Sequence, residues 1–325
     1  MSKYDIVADI GSKFLNMALT HRDFILREPS VVATDNLNKN QFIHSGLKAL
    51  KVAEEDTLNT NLIYPIEGGV VRDAAAFKFL ISNALLKILP SKVFLSDIKV
   101  WCVIKSTLDD TVKRTIDDTF NELGLKQVEF IPSGVADFYA AQKQLGCTSC
   151  ITVNLGSGLT EVYAVNEGKI LAGASMKWAG KNLEQQIADY VNSKYNMTIS
   201  HSETIGIRKN CISLYPNNMS VYKFKGINVE KNEEQVADIS ARELYETAAK
   251  FFDNITTVVN SIFLSVSAAD AESLRENGVI LCGGLSDIEG MEKYFYDALK
   301  VTVRMLAEPE TSSIEGAKQV ALSKK

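Results

Sequence analysis

No apolar run in this sequence approaches the roughly 20 residues a helix needs to cross a bilayer, so no membrane span is expected. An excess of positive charge is also missing. The formal net charge is −5 and the pI about 5.4, which argues against non-specific nucleic-acid binding. The start, Met1-Ser2-Lys3-Tyr4-Asp5, runs straight into a short strand-like segment and does not resemble a secretory signal. Cysteines are few and odd in number: Cys102, Cys147, Cys150, Cys211 and Cys282. That fits a reducing compartment, and a cytoplasmic location is expected. Cys147-Thr148-Ser149-Cys150 has redox or metal spacing. No second pair or His cluster completes a zinc site, so ordinary thiols at a strand start are expected. Low-complexity stretches and flexible linkers are absent too, so the halves of the chain are expected to pack tightly.

What is present is apolar patterning. Hydrophobic residues make up 46% of 325 positions and the mean hydropathy is −0.01, enough to bury sizeable cores in about two domains. Strand-like and helix-like segments alternate, which reads as α/β. The spacing predicts a hairpin over 4–10 and 14–20, helices over 73–89 and 108–123, and a buried strand over 98–104. The second helix is given Ser106 or Thr107 as its N-cap. Further on, strands are expected at 150–154, 160–166, 170–176 and 278–282, and helices at 182–195 and 241–266. The stretch 216–237 reads as polar and irregular, with a turn at Pro216-Asn217-Asn218.

Two glycine turns stand out. Asp9-Ile10-Gly11-Ser12 closes the first strand, and Asn154-Leu155-Gly156-Ser157-Gly158-Leu159 closes a strand that opens the second half. A buried strand ending in a small-residue turn lets backbone N–H groups approach a phosphate. Two such turns at matching positions suggest a duplicated fold gripping one nucleotide. The acid of the first turn, Asp9, is an amide in the second, Asn154.

These motifs resemble the actin and heat-shock-chaperone ATPase superfamily, and within it the bacterial actin MreB. The resemblance extends over nearly the whole chain. It includes Glu28-Pro29-Ser30-Val31-Val32-Ala33, Tyr64-Pro65-Ile66-Glu67-Gly68-Gly69-Val70-Val71-Arg72-Asp73, Trp178-Ala179-Gly180-Lys181-Asn182-Leu183-Glu184, and Val279-Ile280-Leu281-Cys282-Gly283-Gly284. It implies duplicated ribonuclease-H-like domains with a nucleotide cleft between the halves. Domain I would span about 1–140, rejoined by 305–325, with a small subdomain at about 34–72. Domain II would span 141–304, with a small subdomain at about 183–245.

The resemblance implies ATP or ADP with Mg²⁺ as ligands. Gly11, Ser12, Lys13 and Phe14 would face the phosphates from one side, and Gly156, Ser157, Gly158 and Leu159 from the other. Asp9 and Asn154 would hold the metal, largely through water. Gly180 would lie near the phosphates, and Gly283, Gly284 and Leu285 near the adenosine. The family's acidic and basic pair against base and ribose falls on Glu203 and Gly206, with Arg208 or Lys209 as substitutes for the missing cation. Two departures concern hydrolysis. The family's second-loop Asp is Asn154, and its water-orienting Glu or Gln aligns with Ser133, too short and too weakly basic for that task. Asp137, one turn on, is a possible stand-in, though an exposed or capping Asp is the ordinary reading.

The resemblance further implies self-association into protofilaments, at the inner membrane face, with cell-shape or divisome proteins as partners. Val93, Phe94 and Leu95 form an apolar tip where family members carry a membrane-inserting loop; packing into the core is the competing reading. A pseudo-ATPase scaffold, related to FtsA or to pilus-assembly proteins, is the alternative function. A sugar kinase would need a substrate-cleft carboxylate motif that is not evident. A chaperone would need a further domain after residue 325.

Overall fold

The computed structural model describes residues 4–38, 41–105 and 110–324. The chain divides into two units. The first comprises 1–148, 167–170 and 306–325, the second 149–166 and 171–305.

The first unit is built on a five-stranded sheet. Its order is β10 (Gln127–Pro132), β9 (Lys99–Ile104), β1 (Ile6–Ile10), β2 (Phe14–Leu19), β3 (Ile25–Pro29). Strands β1 to β3 form an antiparallel meander, and β9 and β10 add in parallel. One face is covered by α2 (Ala74–Ile88) and α3 (Asp110–Glu122), whose Phe77, Leu80, Ile116 and Phe120 pack on Ile6, Leu15 and Met17. The other face carries α4 (Ser133–Leu145) and α10 (Ser312–Ser323), with Ile314, Ala317 and Val320 against Val7 and Trp101. A smaller sheet of β5 (Phe42–Ser45), β4 (Val32–Asp35) and β6 (Thr60–Ile63) supports α1 (Leu47–Glu55). A short hairpin, β7 (Ile66–Glu67) and β8 (Val70–Val71), precedes α2, and Asp73 caps α2 by accepting the Ala76 N–H at 2.8 Å.

The second unit repeats this plan. Its sheet runs β13 (Lys169–Met176), β12 (Thr160–Asn166), β11 (Ser149–Leu155), β17 (Val279–Cys282), β18 (Val303–Met305). As in the first unit, β11 pairs antiparallel with the strand after it, and β17 and β18 join in parallel. Around it lie α5 (Gly180–Tyr195), α7 (Ala241–Ser265), α8 (Ala268–Asn277) and α9 (Met291–Leu299). Helix α6 (His201–Cys211) lies on a small sheet of β14 (Met197–Thr198), β15 (Val221–Asn228) and β16 (Glu234–Ser240).

That small sheet corrects the reading of 216–237 as irregular. Phe224 and Ile239 turn inward and are buried, while Val221, Lys223, Lys225 and Ile227 face outward. Two lysines on the outward positions lower the mean hydropathy and hide a period-2 strand. The turn at Pro216 is present, closed by the Asn218 N–H on the Tyr215 carbonyl at 3.1 Å. The expected N-cap at Ser106 or Thr107 lies outside the described residues.

Helix α7 starts on Ser240 and Glu243. The Ser240 N–H and hydroxyl both donate to Glu243 Oε1, at 3.2 and 2.8 Å. Glu243 Oε2 accepts from Lys194 and Tyr195 in the last turn of α5. Burial pushes the Glu243 carboxyl up, but the hydrogen bonds from Lys194, Ser240 and Tyr195 override it and hold the pKa at about 2. A carboxylate depressed below its ordinary 4.5 stabilises fully above that value and loses its contribution as pH falls toward 2. Glu243→Gln is therefore expected to cost about 1 kcal/mol at pH 7. Its urea midpoint should converge on that of the unsubstituted protein as pH drops below 4. A constant gap from pH 7 to pH 3 would rule this out.

Candidate functional site

Both glycine turns have one geometry. The Gly11 N–H donates to the Phe14 carbonyl at 3.1 Å, and the Gly156 N–H donates to the Leu159 carbonyl at 3.1 Å. A Cβ at Gly11 would meet the Phe14 carbonyl oxygen at 2.6 Å, and one at Gly156 the Leu159 oxygen at 2.5 Å. Each turn thus requires glycine for the same reason, a carbonyl folded back over its Cα. Ser30 Oγ donates to the Gly11 carbonyl at 2.7 Å and fixes the first turn. Ser12, Lys13, Phe14, Ser157, Gly158 and Leu159 are half-buried at the loop crests.

In the second unit, several expected residues converge. The first two N–H groups of α5, on Gly180 and Lys181, donate to the Gly156 and Ser157 carbonyls at 3.0 and 2.9 Å. The positive end of α5 is thereby fastened to the second loop. A Cβ on Gly180 would come within 3.3 Å of the Ser157 Cα and 3.6 Å of a Leu285 methyl. Leu285 donates its N–H to the Leu155 carbonyl at 3.1 Å. Gly283 has φ +86°, and a Cβ there would lie 2.7 Å from Asn154 Oδ1. Gly284 differs: it is exposed, and a Cβ there meets nothing within 4 Å. The loop therefore leaves open space beside Gly284.

The charge arrangement shows a relation the sequence reading missed. Asp9 is paired across its hairpin with Asn16, whose Nδ2 donates to Asp9 Oδ2 at 3.2 Å. Asn154 is paired across the second hairpin with Glu161. Each hairpin so carries one carboxylate and one amide, with the order exchanged. Glu161 is fully buried and accepts the Tyr163 hydroxyl at 2.8 Å. Its signal was available: Asn154 and Glu161 are seven apart around a turn, as Asp9 and Asn16 are. Burial, and then the nearby Asp9 carboxylate, push the Cys102 thiol far above its ordinary pKa. All five cysteines are buried. Among the described residues no group of three or more His, Cys, Asp and Glu side chains could hold a metal.

Glu203 stands in the first turn of α6, where Ser200 caps its N–H at 3.2 Å. Its Oε2 is buried and accepts no hydrogen bond among the described residues. A carboxylate oxygen so placed favours an incoming donor. The expected substitutes for a basic partner fare differently. Arg208 is buried and lies 3.3 Å from Glu184 of α5, so it is committed to an internal ion pair. Lys209 is exposed. Gly206 accommodates Tyr222, whose hydroxyl would be 2.3 Å from a Cβ there.

Ser133 is fully buried at the start of α4. Asp137 is neither exposed nor a cap: it is 1% exposed and accepts the Ser313 hydroxyl of α10 at 2.6 Å. At the apolar tip, Val93 and Leu95 pack against the core of the first unit, while Phe94 is 82% exposed. No helix among the described residues is long and apolar enough to cross a membrane.

Two units of one strand order, each with its glycine turn, define an actin-like fold. The chain belongs to the MreB/Mbl family, whose model, described as MreB/Mbl protein, matches residues 3–325. It is 21% identical over 308 residues to the cell shape-determining protein Mbl of Bacillus subtilis (strain 168), covering 94% of this chain and 92% of that protein. With the cell shape-determining protein MreB of Escherichia coli (strain K12) it shares 19% over 324 residues, 97% and 92% of the two chains. The crystal structure of MreB 5 of Spiroplasma citri bound to AMPPNP superposes with a TM-score of 0.92 at 21% identity, covering 100% of this chain and 98% of that one. The MamK double helical filament matches at 0.81 and 14% identity, covering 98% and 99%.

Proposed function

We propose that this chain is a nucleotide-binding, filament-forming bacterial actin homologue of the MreB type that acts in cell shape, with slow hydrolysis. The observation that carries the reading is the pair of glycine turns with one geometry, the second of which meets Gly180 and the Gly283–Leu285 loop. Its structural relatives include MreB 5 of Spiroplasma citri bound to AMPPNP and to ADP, and MamK as a double helical filament. On this reading the two units are domains I and II, with small subdomains at about 34–72 and 183–245.

The donor set fits a nucleoside polyphosphate. Backbone N–H groups and the Ser12 and Ser157 hydroxyls take the phosphates, the open space at Gly284 takes the adenosine, and Glu203 Oε2 accepts from it. When bound, Mg²⁺ supplies charge neutralisation of the phosphates. Asp9 and Asn154 would hold it, chiefly through water. The exposed Phe94 is the residue we assign to the inner membrane surface in a cytoplasmic, peripheral location. Asn154 and Ser133 favour one alternative, a non-hydrolysing scaffold of FtsA or pilus-assembly type.

Gly284→Leu separates the site from the fold, because its side chain enters open space. The variant should keep the melting temperature and lose at least about tenfold in affinity for a fluorescent ATP analogue, since leucine fills the ligand's place. Unchanged affinity would refute the adenosine placement. Electron microscopy with ATP should show filaments of the unsubstituted protein. Their absence at all protein concentrations would leave the scaffold reading.

A further inference from the structure

Helices α5 and α7 run antiparallel. Glu243 in the first turn of α7 holds Lys194 at the end of α5, whereas Trp178, just before α5, stacks on Phe251 farther along α7 at 5.3 Å. Between them lies an open groove of about 560 Å³. One wall is Gln186, Asp189, Tyr190 and Ser193; the other is Thr247, Lys250, Phe251 and Asn254. Both walls have the spacing i, i+3, i+4, i+7, so each is a single helical stripe. Each stripe spans seven residue steps, about 10.5 Å, or two helical turns.

The groove is lined by both aromatic and charged side chains. Trp178 lines it, stacked on the buried Phe251 and fixed by its indole N–H on the Phe251 carbonyl at 2.8 Å. Tyr190 in the wall accepts from Lys194 at 3.2 Å, and Lys194 also donates to Glu243. Asp189 and Lys250 stand exposed on opposite walls, and no ion pair joins them among the described residues. Asp189 accepts from the neutral Gln185 at 2.8 Å.

We propose that this groove is a docking site for an amphipathic helix of a partner protein. The geometry suits a helix because two parallel ridges at this spacing form the channel into which a third helix sets its own ridge. The charges select its chemistry. An apolar stripe lies on Trp178 and Tyr190, a basic flank meets Asp189, and an acidic flank meets Lys250. A ligand with flanks of one sign is repelled by one wall. The site lies wholly in the second unit and does not depend on the nucleotide reading.

Three synthetic 14-residue helical peptides test it, each with the same leucine stripe and no aromatic residue. One carries lysine on one flank and glutamate on the other; the second has lysine on both flanks, the third glutamate on both. Fluorescence of Trp178 reads the binding, since Trp101 is only 4% exposed. The mixed peptide should bind with a Kd on the order of tens of micromolar, and each uniform peptide about tenfold more weakly. Asp189→Lys should shift the preference to the glutamate peptide, and Lys250→Glu to the lysine peptide. Asp189→Asn and Lys250→Gln, which should weaken the same preferences, serve if a reversal fails to fold. No saturable signal, equal affinity for all three, or an unmoved ranking in the variants would overturn the proposal.

Discussion

On the proposed nucleotide-binding reading, the double substitution Ser133→Glu with Asn154→Asp should raise single-turnover phosphate release by about 10²-fold or more. On that reading Ser133 stands where a water-orienting carboxylate is needed, and Asn154 where a metal-binding carboxylate is needed. A serine hydroxyl is too weak a base to orient and deprotonate an attacking water, and a positioned carboxylate contributes ~10²–10⁴ in rate. At about 1.36 kcal/mol per tenfold, a hundredfold is about 2.7 kcal/mol of barrier. Asn154 offers a carbonyl oxygen but no charge to a cation. Its pairing with the buried Glu161 explains why an amide is tolerated, because that hairpin already carries one carboxylate. Asn154→Asp puts two acids side by side on one sheet face, which costs stability without metal. Mg²⁺ should therefore raise the melting temperature of Asn154→Asp more than that of the unsubstituted protein. Phosphate release from the unsubstituted protein as fast as from the double variant would mean that another group orients the water.

A second large effect is expected far from the loops. A Cβ on Gly316 of α10 would lie 1.7 Å from the Ala136 carbonyl oxygen and 2.8 Å from the Ala140 nitrogen of α4. These are backbone atoms, so no rotamer change relieves the overlap. Gly316→Leu must push α10 from α4, disturbing the buried Ile314, Ala317 and Val320 and lengthening the Ser313–Asp137 bond. Overpacking of this kind costs ~1–3 kcal/mol, and weakening a buried hydrogen bond to a carboxylate adds ~1.5–3. The sum, about 2.5–6 kcal/mol, should lower the melting temperature by roughly 4–9 °C in calorimetry. A loss below 1 kcal/mol would show that the helices re-seat without strain.

Local pattern carried much of the fold into the sequence. The hairpin around Gly11, the strands beside Gly156 and the long α7 were readable, because strand alternation, glycine punctuation and helical spacing are short-range signals. What escaped has a different physical origin. Asp137 and Ser313 are 176 residues apart, so the burial of that carboxylate depends on a partner no local window contains. Arg208 looked available as a nucleotide cation, but Glu184 on another helix claims it. The β15–β16 hairpin was masked by outward lysines, and its inward Phe224 has meaning only against distant partners such as Tyr195 of α5, whose ring meets it at 5.4 Å. Gly11, Gly156, Gly180 and Gly283 were legible because each marks a close approach of backbone, a constraint Gly284 does not share. The role of Glu161 was not, because cross-strand pairing had to be known first.

The junction of α5 with the second glycine loop has a thermodynamic consequence. Gly180 and Lys181 tie the first turn of this helix to the loop, and Lys194, 14 residues later, ties its last turn to α7. A 16-residue helix is a stiff rod about 24 Å long, so its two ends cannot shift independently. Whatever free energy couples a molecule at the loop to one in the groove is shared by both. If the first tightens the second by some factor, the second tightens the first by the same factor.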